Sequence, residues 1–111
     1  MAEPRLKTAL WVQMVLRLAD QAGRPGAVLR RGDADSGGVL LVLRRGNGLM
    51  VLSQMRTGEG RLAWLRTTGE APVDQETVDA YIARRLHTDP DLWVVELETT
   101  DFTPPIAVDL A

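Results

Sequence analysis

The chain predicts an α+β fold, with two amphipathic helices and an antiparallel-rich sheet of about five strands. Three observations carry that expectation. Apolar residues recur at helical spacing in two separate stretches, residues 11–22 and 73–86. Between them lie short Val- and Leu-rich runs separated by glycine turns. A last apolar run, residues 92–98, follows the second helical stretch.

Trp11, Val15, Leu18, Ala19 and Ala22 form one helical stripe, with Gln13, Arg17, Asp20 and Gln21 on the opposite face. Gly23 and Pro25 end that helix. Residues 6–10 fit the stripe poorly and are expected to be extended. Residues 27–31 make a short, half-apolar strand, and residues 39–43 are continuously apolar, which suits a strand covered on both faces. Gly46-Asn47-Gly48 is a hairpin signal, with Asn-Gly expected to take positive φ. Residues 49–55 return, Gly58-Glu59-Gly60 marks a second hairpin, and residues 62–65 follow, so three or four antiparallel strands form a meander. Asp74 is placed to cap the second helix, with Val73 and Val78 as a hydrophobic staple. Val78, Tyr81, Ile82 and Leu86 form its apolar face, and the helix stops before Asp89, which precedes Pro90. In the final strand Trp93, Val95 and Leu97 share one face, and Val94 and Glu96 the other. From about residue 99, through Pro104-Pro105, the chain is expected to be irregular. Two-sided apolar strands need cover on both faces. The helices can supply one layer each, a three-layer sandwich. If both lie on one face, a second copy must cover the other, which keeps a homodimer open.

At 111 residues, 45% apolar and 25% charged, the chain is an ordinary globule with one domain, residues 1–111. The absence of cysteine removes disulfides, thiolate catalysis and zinc–thiolate sites. No apolar run approaches the roughly 20 residues that span a bilayer, and the N-terminus lacks a signal-peptide layout. The expectation is a cytoplasmic protein with no membrane partner. The net charge of −2 hides a split: residues 1–66 carry 11 Lys or Arg against 5 Asp or Glu, and residues 67–111 carry 2 against 10. A basic face for nucleic acid would use that split. Internal complementarity is the favoured alternative, because no basic cluster alternates with aromatics as single-strand binders require.

Four segments, taken together, carry a resemblance. They are Trp11-Val12 leading to Leu16-Arg17, Arg30-Arg31-Gly32-Asp33-Ala34-Asp35-Ser36-Gly37, Trp64 after a Gly-rich turn, and Asp89-Pro90-Asp91-Leu92-Trp93-Val94-Val95-Glu96. In this order and spacing the chain resembles a bacterial family catalogued as domain-of-unknown-function family number 1491, over roughly residues 5–98. The resemblance implies a stand-alone bacterial cytosolic domain of this length. It transfers no activity and no site residue.

The candidate site is the polar loop of residues 30–38, which sets two Arg, two Asp, a Ser and three Gly between strands. Asp33 and Asp35 are spaced to hold a hard cation, and the glycine amides beside Arg30 or Arg31 could cradle an anion. The plainer alternative is a charged turn in which Asp side chains cap backbone amides. Familiar motifs fail here. Gly37 and Arg44 stand where a helix–loop–helix calcium site needs its fifth ligand and bidentate Glu. Asp35-Ser36-Gly37-Gly38 is like a serine-protease nucleophile loop, but the chain is too short and His87 is the sole candidate base. Arg31-Gly32-Asp33 matches an adhesion tripeptide by coincidence. No phosphate-binding GxxxxGK[ST] occurs, and neither Gly-x-Gly turn opens a helix, so nucleotide and dinucleotide motifs are absent.

His87, near the end of the second helix, suits the helix dipole better than acid–base work shared with Asp89 or Asp91. Glu96 faces away from Trp93 in a two-sided strand, so it must be paired or protonated. An Arg from the basic strands is the expected partner, and a pocket shared with Asp33 and Asp35 is the alternative. Trp11, Trp64 and Trp93 are expected core residues rather than a ligand shelf.

The resulting expectation is a small non-enzymatic binding or interaction domain that uses the 30–38 loop. Its candidate binding residues are Arg30, Arg31, Asp33, Asp35, Ser36 and Glu96, with no catalytic residue, no cofactor and no identified metal or partner. The first alternative is a metal- or phosphate-dependent enzyme or ligand binder built on Asp33, Asp35 and Glu96. The second is nucleic-acid binding by the basic N-terminal part.

Overall fold

A computed structural model describes residues 7–56 and 62–104. The elements are α1 (Thr8–Gln21), β1 (Gly26–Arg30), β2 (Val39–Arg45), β3 (Gly48–Arg56), β4 (Leu62–Arg66), α2 (Gln75–Thr88) and β5 (Trp93–Glu98). The five strands form one mixed, mostly antiparallel sheet in the order β1-β5-β2-β3-β4. The fold is α+β.

β2, β3 and β4 are the expected meander, but β1 does not join it. β5 lies between β1 and β2, antiparallel to β1 and parallel to β2, with Val39 opposite Trp93 and Val42 opposite Glu96. Burial explains the placement. Val39–Leu43 of β2 and Trp93–Val95 of β5 lose nearly all their surface at the centre, while half-exposed β1 takes an edge. The turn after β2 also departs from expectation. Arg45 pairs with Gly48, and positive φ falls on Gly46 at 59°, not on Asn47. The loop is therefore Gly-Asn with glycine first, the primed-turn pattern that tolerates any second residue. The Gly58-Glu59-Gly60 turn lies outside the described residues.

The helices cover opposite faces. Val12, Val15 and Ala19 of α1 pack on Leu41, Leu43, Leu52, Trp64, Trp93, Val95 and Leu97. Val78 of α2, flanked by Tyr81, Ile82 and Leu86, packs on Leu40, Val42, Leu49, Val51 and Val94. Odd and even residues of β2 thus feed two separate cores, and the three-layer arrangement needs no second copy to cover the sheet. Leu18, placed in the α1 stripe by sequence, is 36% exposed, and Val12 takes the buried position instead.

The α1 helix includes its first turn, against the extended conformation expected there. Lys7 precedes it and supplies no side-chain cap. The turn is held from a distance: the Thr8 and Ala9 amides donate to the carbonyls of Asp35 and Ala34, at 3.3 and 2.9 Å. These bonds satisfy helix-terminal donors that a capping side chain would otherwise take. In α2 the expected cap is present, with Asp74 accepting from the Thr77 amide at 2.9 Å. After β5, residues 99–104 form no helix or strand yet are anchored, and the expected irregular stretch from Pro105 on lies outside the described residues. Thr99 donates to the Arg44 carbonyl through its amide at 2.8 Å, and Phe102, at φ 59°, packs on the α1-side core.

Candidate functional site

The 30–38 loop crosses from edge strand β1 to central strand β2, and its shape is set by Asp33. One carboxylate oxygen of Asp33 accepts from the Asp35 amide at 3.2 Å, the Ser36 amide at 2.9 Å and the Ser36 hydroxyl at 3.1 Å. The Ser36 amide and hydroxyl, with a lesser contribution from the Asp35 amide, hold the Asp33 carboxyl below its ordinary value and outweigh the opposing desolvation. The Gly37 amide donates to the Asp33 carbonyl at 3.2 Å. The Asp35, Ser36 and Gly37 amides are thus engaged by Asp33 itself, an Asx-type turn.

Three contacts tie this turn to the rest of the fold. The Trp93 indole donates to the Asp33 carbonyl at 2.8 Å, the Asp33 amide donates to the Asp91 carbonyl at 2.9 Å, and the Thr8 hydroxyl donates to the Gly37 carbonyl at 2.8 Å. The approach to Asp91 explains two glycines. A Cβ at Gly32 or Gly37 would lie 2.0 or 2.4 Å from the Asp91 carbonyl oxygen. Arg30 donates to the Pro90 carbonyl at 3.1 Å, and the Arg31 guanidinium lies 5.3 Å from the centre of the Trp93 ring. Asp35 faces Lys7 at 3.7 Å, an exposed pair of little energetic weight.

Glu96 does not join Asp33 and Asp35. It lies three residues along β5 from Trp93, about 10 Å at the strand rise, and on the α2 side of the sheet. Its partner is an Arg from the basic strands: Arg44 donates to Glu96 Oε1 from Nε at 3.2 Å and from Nη2 at 2.9 Å. Arg44 Nη2 also reaches Gln75 Oε1 at 2.7 Å, and Gln75 donates to Asp79 at 2.8 Å, which secures the start of α2 to the sheet. Among the described residues no three His, Asp or Glu side chains gather to hold a metal. His87 is exposed in the last turn of α2. Trp93 and Trp64 are buried, and Trp11 stacks on Trp64 with centroids 5.6 Å apart.

The family described as "Protein of unknown function (DUF1491)" matches residues 6–107. The chain belongs to the DUF1491 family. Its fold is similar to the crystal structure of a DUF1491 family protein from Caulobacter crescentus, at 31% identity and a TM-score of 0.84, covering 96% of this chain and 100% of that one. An NMR structure of a DUF1491 family protein from the same organism gives 29% identity and a TM-score of 0.84, over 98% of this chain and 99% of that one. The solution structure of Atu0922 from A. tumefaciens gives 25% identity and a TM-score of 0.77, over 95% of each chain. No curated protein matches the chain. The DUF1491 family has no characterised function, so the site must be read from its own geometry. No helix among the described residues is long and apolar enough to cross a membrane.

Two features are not apparent in the sequence. Leu10 and Met14, with Leu18, form an exposed ridge on α1. Tyr81 packs on the α2-side core as expected, and its ring also stands among Arg84, Arg85, Ser53 and Thr67. The spacing of Tyr81, Arg84 and Arg85, at i, i+3 and i+4, is the signal that could have found the second.

Proposed function

We propose that this DUF1491 protein acts by binding rather than catalysis, as an interaction domain whose recognition surface joins the 30–38 loop to the outward ridge of α1. The ridge carries the reading. Leu10, Met14 and Leu18 stand one helical turn apart and are 52, 42 and 36% exposed. Grouped exposed apolar side chains mark contact surfaces more often than isolated ones do. The first turn of α1 is bonded to the loop, so the loop charges lie at the N-terminal end of this ridge. The internal bonds of Asp33 fix the loop before any partner arrives, which lowers the entropy lost on binding. Arg17 beside the ridge and Arg31 in the loop favour a protein partner that presents an apolar patch rimmed by carboxylates.

The test is affinity capture from bacterial lysate with the wild-type chain and two variants, L10D/M14D and R31A. All these side chains are exposed, so the variants should melt with the wild-type protein. The expected result is a captured protein that L10D/M14D loses and R31A retains weakly. Capture that both variants leave intact, or no capture at all, contradicts the proposal. So does turnover of a substrate that disappears in D33A.

A further inference from the structure

The opposite face of the molecule carries a second polar constellation. β3 directs Leu49 and Val51 into the α2-side core, and two residues further on the same face presents Ser53, a hydroxyl 6% exposed. Tyr81 of α2 covers that position. Its hydroxyl accepts from Arg85 Nη1 at 2.8 Å, and the Thr67 and Ser53 side chains lie beside it. The guanidiniums of Arg84 and Arg85 both lie 5.9 Å from the Tyr81 ring centre. Among the described residues the ion pairs within 4.0 Å are Lys7–Asp35 and Arg44–Glu96, so neither of these arginines pairs with a carboxylate of a described residue. Two like charges share one ring, eased by its π face and the C-terminal dipole of α2.

We propose that Arg84, Arg85 and the Tyr81, Ser53 and Thr67 hydroxyls form a binding site for the phosphoryl group of a small phosphate ester. The chemistry fits at each position. Two guanidinium forks match phosphate oxygens and supply the two positive charges that a phosphate dianion neutralises. The Tyr81 and Ser53 hydroxyls can donate to further oxygens, and the Thr67 hydroxyl, which donates to the Val51 carbonyl at 3.3 Å, would exchange that bond for one to the phosphoryl group. The strands that carry Ser53 and the turn that carries Thr67 are fixed to one another, since Thr67 donates to the Val51 carbonyl through its amide at 3.0 Å. The site stands on the other face of the sheet from the α1 ridge and does not depend on the interaction proposed above.

Tyr81 is the single tyrosine of the chain, so its ionisation reports on the site without interference. Burial pushes the phenol up, but the neighbouring Thr67 hydroxyl, the Arg85 bond and charge and the neighbouring Ser53 hydroxyl outweigh it and leave the phenol below its ordinary value. A dianion beside Arg85 cancels the positive charge, so binding must raise the titration point. The experiment is tyrosinate absorbance against pH, with inorganic phosphate or with chloride at matched ionic strength. The expected result is a saturable rise of about one pH unit in phosphate, a tenfold change in the ionisation equilibrium. R84Q removes an exposed side chain, and its protein should melt normally while its phosphate response weakens at least tenfold. A titration that ignores phosphate, that moves equally in chloride, or that responds identically in R84Q overturns the proposal.

Discussion

The two helices of this fold begin by opposite means. α2 begins on its own sequence: Asp74 caps the Thr77 amide three residues on, and the adjacent Val73 bridges to Leu49. α1 has no such cap. Its first amides are held by carbonyls of Ala34 and Asp35, in a loop that follows the next strand. A locally capped helix can lose its cap and keep its neighbours. A helix that borrows its cap from a loop stands or falls with that loop. The loop is in turn fixed by Asp91 and Trp93 at the start of β5, so α1, the loop and β5 form one unit.

The largest effect is expected at the closest packing point of that unit. G32A places a Cβ 2.0 Å from the Asp91 backbone oxygen, where neither atom can retreat cheaply. The expected loss is about 3 kcal/mol in denaturant unfolding, with α1 frayed in the remaining native state. E96A comes next. It leaves Arg44 facing Gln75 alone at the start of α2. With the pair's side chains 29 and 23% exposed, the expected loss is about 2 kcal/mol, below that of a fully buried pair. A double-mutant cycle with R44M would separate pairing from desolvation.

Smaller effects sharpen the contrast. T8V removes the hydroxyl bond to Gly37 and should cost about 1 kcal/mol while raising hydrogen exchange across residues 34–37. D74A should raise exchange only in the first turn of α2. The smallest effect is in acid. Asp33 and Asp74 both titrate below their ordinary value of 3.8, through the amide and hydroxyl bonds of Ser36 and through Thr77 respectively. Each therefore adds stability that is complete above 3.8 and disappears as pH falls through the lower folded value. D33A and D74A should each flatten that part of the stability profile, measured by urea unfolding.

Legibility in the sequence follows the same division. The Asp74 cap, the stop before Asp89, the alternation of Trp93 to Leu97 and the Arg partner of Glu96 all come from local pattern or elementary charge pairing. What the sequence did not show depends on contacts between distant residues. The helical first turn of α1 needs the loop carbonyls. The insertion of β5 beside β2 is a long-range pairing that the run of strands disguises as a simple meander. Leu18 fits a helical stripe by spacing, but the sheet beneath sets the axis of burial and selects Val12. In the candidate site, the Asp, Ser and Gly content identified the loop. The structure shows these residues bonding one another, a use that composition cannot distinguish from ligand binding.

A recognition surface of this kind requires the loop and the start of α1 to act as one pre-organised unit. Amide hydrogen exchange in D33A tests that most directly. This substitution removes three bonds inside the loop and touches neither Thr8 nor Ala9. Coupling predicts that exchange at Thr8 and Ala9 accelerates at least tenfold, while Thr77 and Val78 in α2 keep their wild-type rates. Unchanged exchange at Thr8 and Ala9 would show that the helix holds without its loop and contradict the account.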